Sequence, residues 1–217
     1  MKRVFMVVAA LALVAAPLAA QWLGLPAWNN PKGGTGVTVN GDVGFPNSDG
    51  GKGTAFGARA TLGLANISFT AGVSSWKPKG ATSSSASVGG VAQFRAIGGS
   101  LIPVSLNIQL GAATSGAISS GPVLYPKFTH ILAGAGASVN VPTPGLSIEP
   151  YLSISNRWHK PSGGSTVSNV GWVIGANLGL GMLGLHVAYD AEKTDSGATV
   201  GVIGIGAHVA LKAPIGM

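Results

Sequence analysis

The chain of 217 residues contains no cysteine. Disulfides, thiolate catalysis, cysteine-based zinc sites and a lipidated N-terminal cysteine are all excluded. Charge is scarce as well: charged residues make up 9% of the chain, and only 6 residues are acidic. A coiled coil needs far more Glu, Lys and Arg. A disordered chain needs more charge and fewer apolar groups than the 46% present here. Little is left for the wet surface or the acid–base chemistry of an ordinary cytosolic enzyme. The formal charge is +7, yet the basic residues form no continuous block, so nucleic acid is not an expected partner. No cofactor is expected either.

What the chain has in excess is glycine, with 35 residues. That is roughly twice the usual share. The N-terminus opens with Lys2 and Arg3, continues through an apolar, alanine-rich stretch over residues 4–20, and ends that stretch on Ala19 and Ala20. This reads as a secretory signal peptide, residues 1–20. Its removal leaves a mature charge of about +5. Residues 21–34 hold Trp22, Leu23, Leu25 and Trp28 without any alternation. They form a lead-in, expected at the inner interface of the membrane that holds the domain, tucked into the domain's mouth, or flexible.

From residue 35 the chain alternates, apolar at every second position. Val37, Val39, Val43 and Phe45 share one face, and Thr38, Asn40 and Asp42 the other. Ile67, Phe69, Ala71 and Val73 oppose Ser68, Thr70 and Ser74. Val104, Leu106, Ile108 and Leu110 oppose Ser105, Asn107 and Gln109. Leu152, Ile154 and Trp158 oppose Ser153, Ser155 and Arg157. Leu185, Val187 and Tyr189 oppose His186 and Asp190. Runs at 87–97, 127–141, 169–181 and 199–211 are blurred, because Gly and Ala sit on both faces. The pattern predicts ten strands, with eight or twelve as alternatives, and no helix in the mature chain.

The connections alternate in length. Those near 46–53, 77–86, 113–126, 159–168 and 193–198 are long and rich in Gly, Ser, Lys, Pro and Asp. Those at 65–66, 98–103, 142–145 and 182–183 are short. A membrane barrel sorts its loops in this way, with short turns on the periplasmic side. The polar face is mostly Gly, Ser, Thr and Asn, too poor in Lys and Glu to be a soluble surface. In a bilayer the apolar face meets lipid, the small polar face lines a narrow interior, and closure pairs every backbone group. Phe45, Phe56, Trp76, Trp158, Trp172 and Tyr189 lie near long loops, as an aromatic girdle at the headgroup level would.

With these features the chain resembles the small single-chain outer-membrane β-barrels of Gram-negative bacteria, in architecture over residues 35–212. The resemblance implies an all-β, closed antiparallel up-and-down transmembrane barrel, with residues 213–217 as a C-terminal tail. It implies location in the outer membrane, and contact with its lipid and lipopolysaccharide. It also implies delivery by the outer-membrane assembly machinery, which reads an aromatic last residue in such proteins. Here the final alternating strand is followed by residues 212–217 with no terminal Phe.

Four constellations compete with this structural reading. Gly179, Gly181 and Gly184 match a dinucleotide fingerprint, but the residues after them alternate as a strand, so a tight turn is expected. His186, Asp190, Glu192 and His208 point inward and could serve a lipid-acting enzyme; pairing with Arg59, Arg95 or Arg157 is the simpler expectation, since buried charges need partners. His130 and His159 read as isolated, with no metal site implied. Lys52, Lys77, Lys79, Lys160 and Lys193 would form an outer rim beside lipopolysaccharide phosphates.

The expected role is therefore structural or surface-exposed, extending to a narrow pore for small solutes. Asp42, Arg59, Arg95, Glu149, Arg157, His186, Asp190 and His208 would line that lumen. The alternatives are an outer-membrane lipid-acting enzyme and a soluble secreted β-sandwich or adhesin.

Overall fold

A computed structural model describes residues 22–98, 102–120 and 123–211. The expected signal peptide and C-terminal tail lie outside these residues. The described chain forms β1 (Gly36–Pro46), β2 (Thr54–Leu64), β3 (Ile67–Lys77), β4 (Ser85–Ile97) and β5 (Val104–Ser115). Then come β6 (Ile118–Ser120), β7 (Val123–Tyr125), β8 (Phe128–Val139), β9 (Val141–Thr143) and β10 (Leu146–Pro161). Last are β11 (Val167–Leu180), β12 (Leu183–Lys193) and β13 (Thr199–Leu211).

Ten of these strands close into one antiparallel barrel, each bonded to its neighbours in sequence. The seam is made by β1 on β13, in register from Val37 opposite Leu211 to Pro46 opposite Val202. The short β9 extends the β10 edge at the short-turn end. The β6–β7 hairpin stands in the long β5–β8 loop. It is tied to the β3–β4 loop through Ser83 and Ser119, with Ala81 and Ile118 buried beneath.

Alternation becomes orientation. On β5 exposure alternates at every residue from Val104 to Ser115. Outward-facing Ile108, Leu110 and Ile154 are 56–60% exposed, while Ser105, Asn107, Gln109 and Ser153 are buried. A soluble two-layer sandwich would hide its Val, Leu and Ile rows between sheets. Here those rows form the outside of a closed cylinder, which removes the sandwich alternative. Strands of this length, tilted as in such barrels, cross roughly 25 Å of hydrocarbon. The fingerprint glycines bracket a turn: Gly181, with φ of +66°, sits between β11 and β12, and Gly179 and Gly184 pair across the two strands.

Candidate functional site: the occupied lumen

The chain's own lead-in threads the inside of the barrel and packs its long-loop half. Residues 22–35 run from the long-loop half of the lumen to the short-turn mouth, and then β1 turns back up the wall. Trp22, Leu25, Ala27 and Trp28 are all at most 5% exposed. These apolar residues lack alternation because they belong to no sheet.

The wall holds this plug by polar contacts along its length. Leu23 donates its N–H to Ser87 Oγ at 3.0 Å, and its carbonyl accepts from Ser74 Oγ at 2.9 Å. Ala27 N–H donates to Asp190 Oδ2 at 2.7 Å. The Asn29 carbonyl oxygen Oδ1 accepts from Gln93 Nε2 at 2.9 Å and from Asn107 Nδ2 at 2.7 Å. At the mouth, Lys32 N–H donates to Glu149 Oε1 at 3.0 Å, and Arg95 binds the Lys32 carbonyl. The Arg59 guanidinium lies 5.6 Å from the Trp22 ring and 5.1 Å from the Trp28 ring. This cation–π arrangement is worth more once water is excluded.

Glycine makes the room. A Cβ at Gly44 would strike the Gly24 carbonyl, one at Gly136 the Asn29 amide, and one at Gly204 the ring of Pro26. Part of the glycine excess on the polar face is thus the imprint of the plug.

Two buried ionic clusters brace the wall. In the first, Arg59 forks onto Asp42 at 2.6 and 2.9 Å, and His186 Nε2 meets Asp42 Oδ1 at 2.6 Å. His208 lies behind it, Nδ1 to Nδ1, at 3.3 Å. In the second, toward the long loops, Arg157 Nη1 reaches Asp190 at 2.8 Å and Glu192 at 3.3 Å. Glu192 Oε1 also accepts from His159 Nε2 and Asn169 Nδ2, both at 2.8 Å. His159 Nδ1 faces His130 Nδ1 at 2.7 Å.

The expectation that His130 and His159 are isolated is therefore corrected: strands β8 and β10 are neighbours, and their register places the two residues opposite one another. The sequence held one clue, since His159 shares the inward parity of Arg157. The four-residue set His186, Asp190, Glu192 and His208 also divides. Asp190 and Glu192 join Arg157, whereas His186 and His208 join Asp42 and Arg59. Glu149 caps the plug at the mouth, and Arg95 sits beside it just before a β-bulge, with Nη2 on Asn66 Oδ1 at 2.6 Å.

Of the girdle residues, Phe45, Phe56, Trp172 and Tyr189 are exposed on the outer face, and Trp158 is half-buried there. Trp172 and Tyr189 pack edge to face at 5.5 Å. Trp76 is the exception and is corrected. It is 4% exposed, points inward against Gly24 and Gly51, and donates to the Lys52 carbonyl. With Val73 facing out, parity turns Ser74 and Trp76 in. Lys52, Lys77, Lys79, Lys160 and Lys193 are exposed at the long-loop end. Among the described residues none of them is ion-paired.

Trp22, Ala27, Trp28 and Asn29 are lumen residues that the alternation does not mark. Their signal is the combination of an unpatterned apolar segment with a polar face unusually rich in glycine.

No protein-family model matches the sequence, and no curated protein matches it. Among solved structures the barrel is similar to the N-terminal β-barrel domain of Pseudomonas aeruginosa OprF, 7% identical over 82% of this chain and 99% of that one, with a TM-score of 0.42. It is similar to the beta domain of the Bordetella autotransporter BrkA, 12% identical over 83% and 100%, with a TM-score of 0.49. It is also similar to the outer membrane enzyme PagL, 9% identical over 80% and 99%, with a TM-score of 0.42. These are likenesses of barrel architecture. With an apolar outside, a polar inside and no open edge around its circumference, the chain is a transmembrane barrel of the outer-membrane type.

Proposed function

We propose that this protein is a self-plugged barrel of the Gram-negative outer membrane, structural rather than catalytic, and closed to solutes at rest. The observation that carries the reading is the lumen itself, occupied by residues 22–32 and bonded to the wall from Ser74 and Ser87 to Glu149. Ten strands leave little interior beyond side chains, and here a peptide blocks the long-loop half of it.

In the outer membrane the short turns face the periplasm and the long loops face out. The lysine rim then lies level with lipopolysaccharide phosphates, where each ammonium acts as a point charge. The imidazole–carboxylate pairs are the groups a hydrolase would use. Yet His159, Glu192, His186 and Asp42 are each at most 4% exposed. Among the described residues no hydroxyl is bonded to either imidazole. Both facts favour bracing over turnover.

The test is planar-bilayer conductance of the full chain, with hydrolysis of labelled phospholipid measured in parallel. Silence in both assays is expected. Steady channels would overturn the closed reading, and turnover lost in His159→Ala or His186→Ala would overturn the non-catalytic one.

A further inference from the structure

The plug does not fill the short-turn half of the lumen. A chamber of about 590 Å³ remains there, open at the mouth and closed at its inner end by Trp22 and Trp28. We propose that this chamber is a binding site for a neutral, polyhydroxylated small molecule of sugar-ring character.

The hydrogen-bonding groups on the chamber wall define the ligand. Arg59 and Asp42 satisfy each other as a fork. Glu149 is capped by Lys32 N–H and Asn177 Nδ2. The chamber therefore offers its ligand no uncompensated carboxylate. Among the described residues, what remains without a protein partner is a mixture. Asn40 Oδ1 and Asn177 Oδ1 can only accept, Arg59 Nη1 and Asn30 Nδ2 can only donate, His208 Nε2 does one or the other by tautomer, and the Thr38 and Ser147 hydroxyls do both. The Lys32 ammonium at the mouth is held by Asn140 Oδ1 at 2.8 Å, and with Arg59 it balances the charge of Asp42 and Glu149. None of these atoms is sealed away from solvent as a buried orphan.

A carboxylate or phosphate could accept from Arg59, Lys32 and Asn30, but would face the two amide oxygens and Glu149 with nothing to donate. An ammonium could donate to those oxygens, but would sit against Arg59. A hydroxyl donates and accepts at once, so a ring bearing several satisfies both kinds of group. The volume accommodates one or two such rings, well inside the usual range for small-molecule sites. The inner wall of indole supplies the apolar surface a sugar face needs.

The inference goes beyond the closed-barrel reading. Binding in detergent solution does not depend on membrane sidedness or on conductance, so either can fail without the other. The experiment tracks tryptophan emission of the full chain, folded in detergent micelles, during titration with trehalose, with glucuronate and glucosamine as charged counterparts. A saturable change with trehalose is expected at millimolar concentration or below. Asn177→Leu and Thr38→Val should each weaken it about tenfold, the loss of roughly one well-made hydrogen bond. Asp195→Asn, on an exposed loop away from the chamber, should leave it unchanged. An unaltered heat-modifiable gel shift will show that each variant is folded. Absence of saturation with trehalose, equal binding by both wall variants, or preference for either charged sugar would overturn the proposal.

Discussion

Asp42 and His186 meet at 2.6 Å, although β13 runs between the strands that carry them. Gly206 is the register partner of both, and because it has no side chain, the two reach each other across it. A Cβ there would lie 2.6 Å from Asp42 Oδ1 and would also strike His186 Nε2. Gly206→Ala should therefore lower stability by about 1–3 kcal/mol, the usual cost of overpacking. Urea unfolding in detergent measures it. Gly41→Ala, where a Cβ meets nothing within 4 Å, should leave the midpoint in place.

Asp190 joins the second cluster to the plug, with Arg157 on one oxygen and Ala27 N–H on the other. Asp190→Ala should cost about 3–5 kcal/mol, as expected when one member of a buried ion pair is removed. It should also loosen the plug, seen as red-shifted tryptophan emission and readier acrylamide quenching. Asp195→Ala, on an exposed loop, should change stability by no more than about 0.5 kcal/mol.

If the plug keeps the barrel shut, variants that unseat it should conduct. Trp28→Ala removes an indole packed against His186 at 4.6 Å between ring centroids, and should cost about 3–5 kcal/mol. Gly44→Ala acts from the wall side, pushing on the Gly24 carbonyl. Both should show flickering channels in planar bilayers where the unaltered chain is silent. Silence from folded protein of both variants would count against the plug as the barrier.

The lysine rim yields an ionic-strength test. Changing Lys52, Lys77, Lys79, Lys160 and Lys193 together to Gln should reduce the lipopolysaccharide that copurifies. In the unaltered chain, raising salt should have the same effect, because exposed charges are screened. Unfolding midpoints should barely move, since such exposed substitutions usually shift stability by no more than about 0.5 kcal/mol. Retention unchanged by either treatment would remove lipopolysaccharide as the partner of this rim.

Much of the architecture is legible along the chain, because a strand's side chains alternate with a period of two whatever its neighbours do. That period tells which face of β5 meets lipid, and it places Asp42, Arg157, His186 and Asp190 on the other. Loop lengths carry the up-and-down order. Even the misplaced Trp76 obeys the rule, once counted from Val73 rather than from its nearness to a loop.

What the chain could not declare was who meets whom inside. Asp42 finds His186 only because closure lays β1 against β13, while Arg157 crosses the bare backbone of Gly171 to reach β12 and His130 finds His159 through the register of adjoining strands, which alternation alone does not set. Nor does any period mark residues 22–35, whose partners lie on β3, β4, β5, β10 and β12. Local sequence determines which way a side chain faces, since that depends on the backbone of one strand alone. Only the closed cylinder decides what it faces, since that depends on the strands around it and on the segment threaded between them.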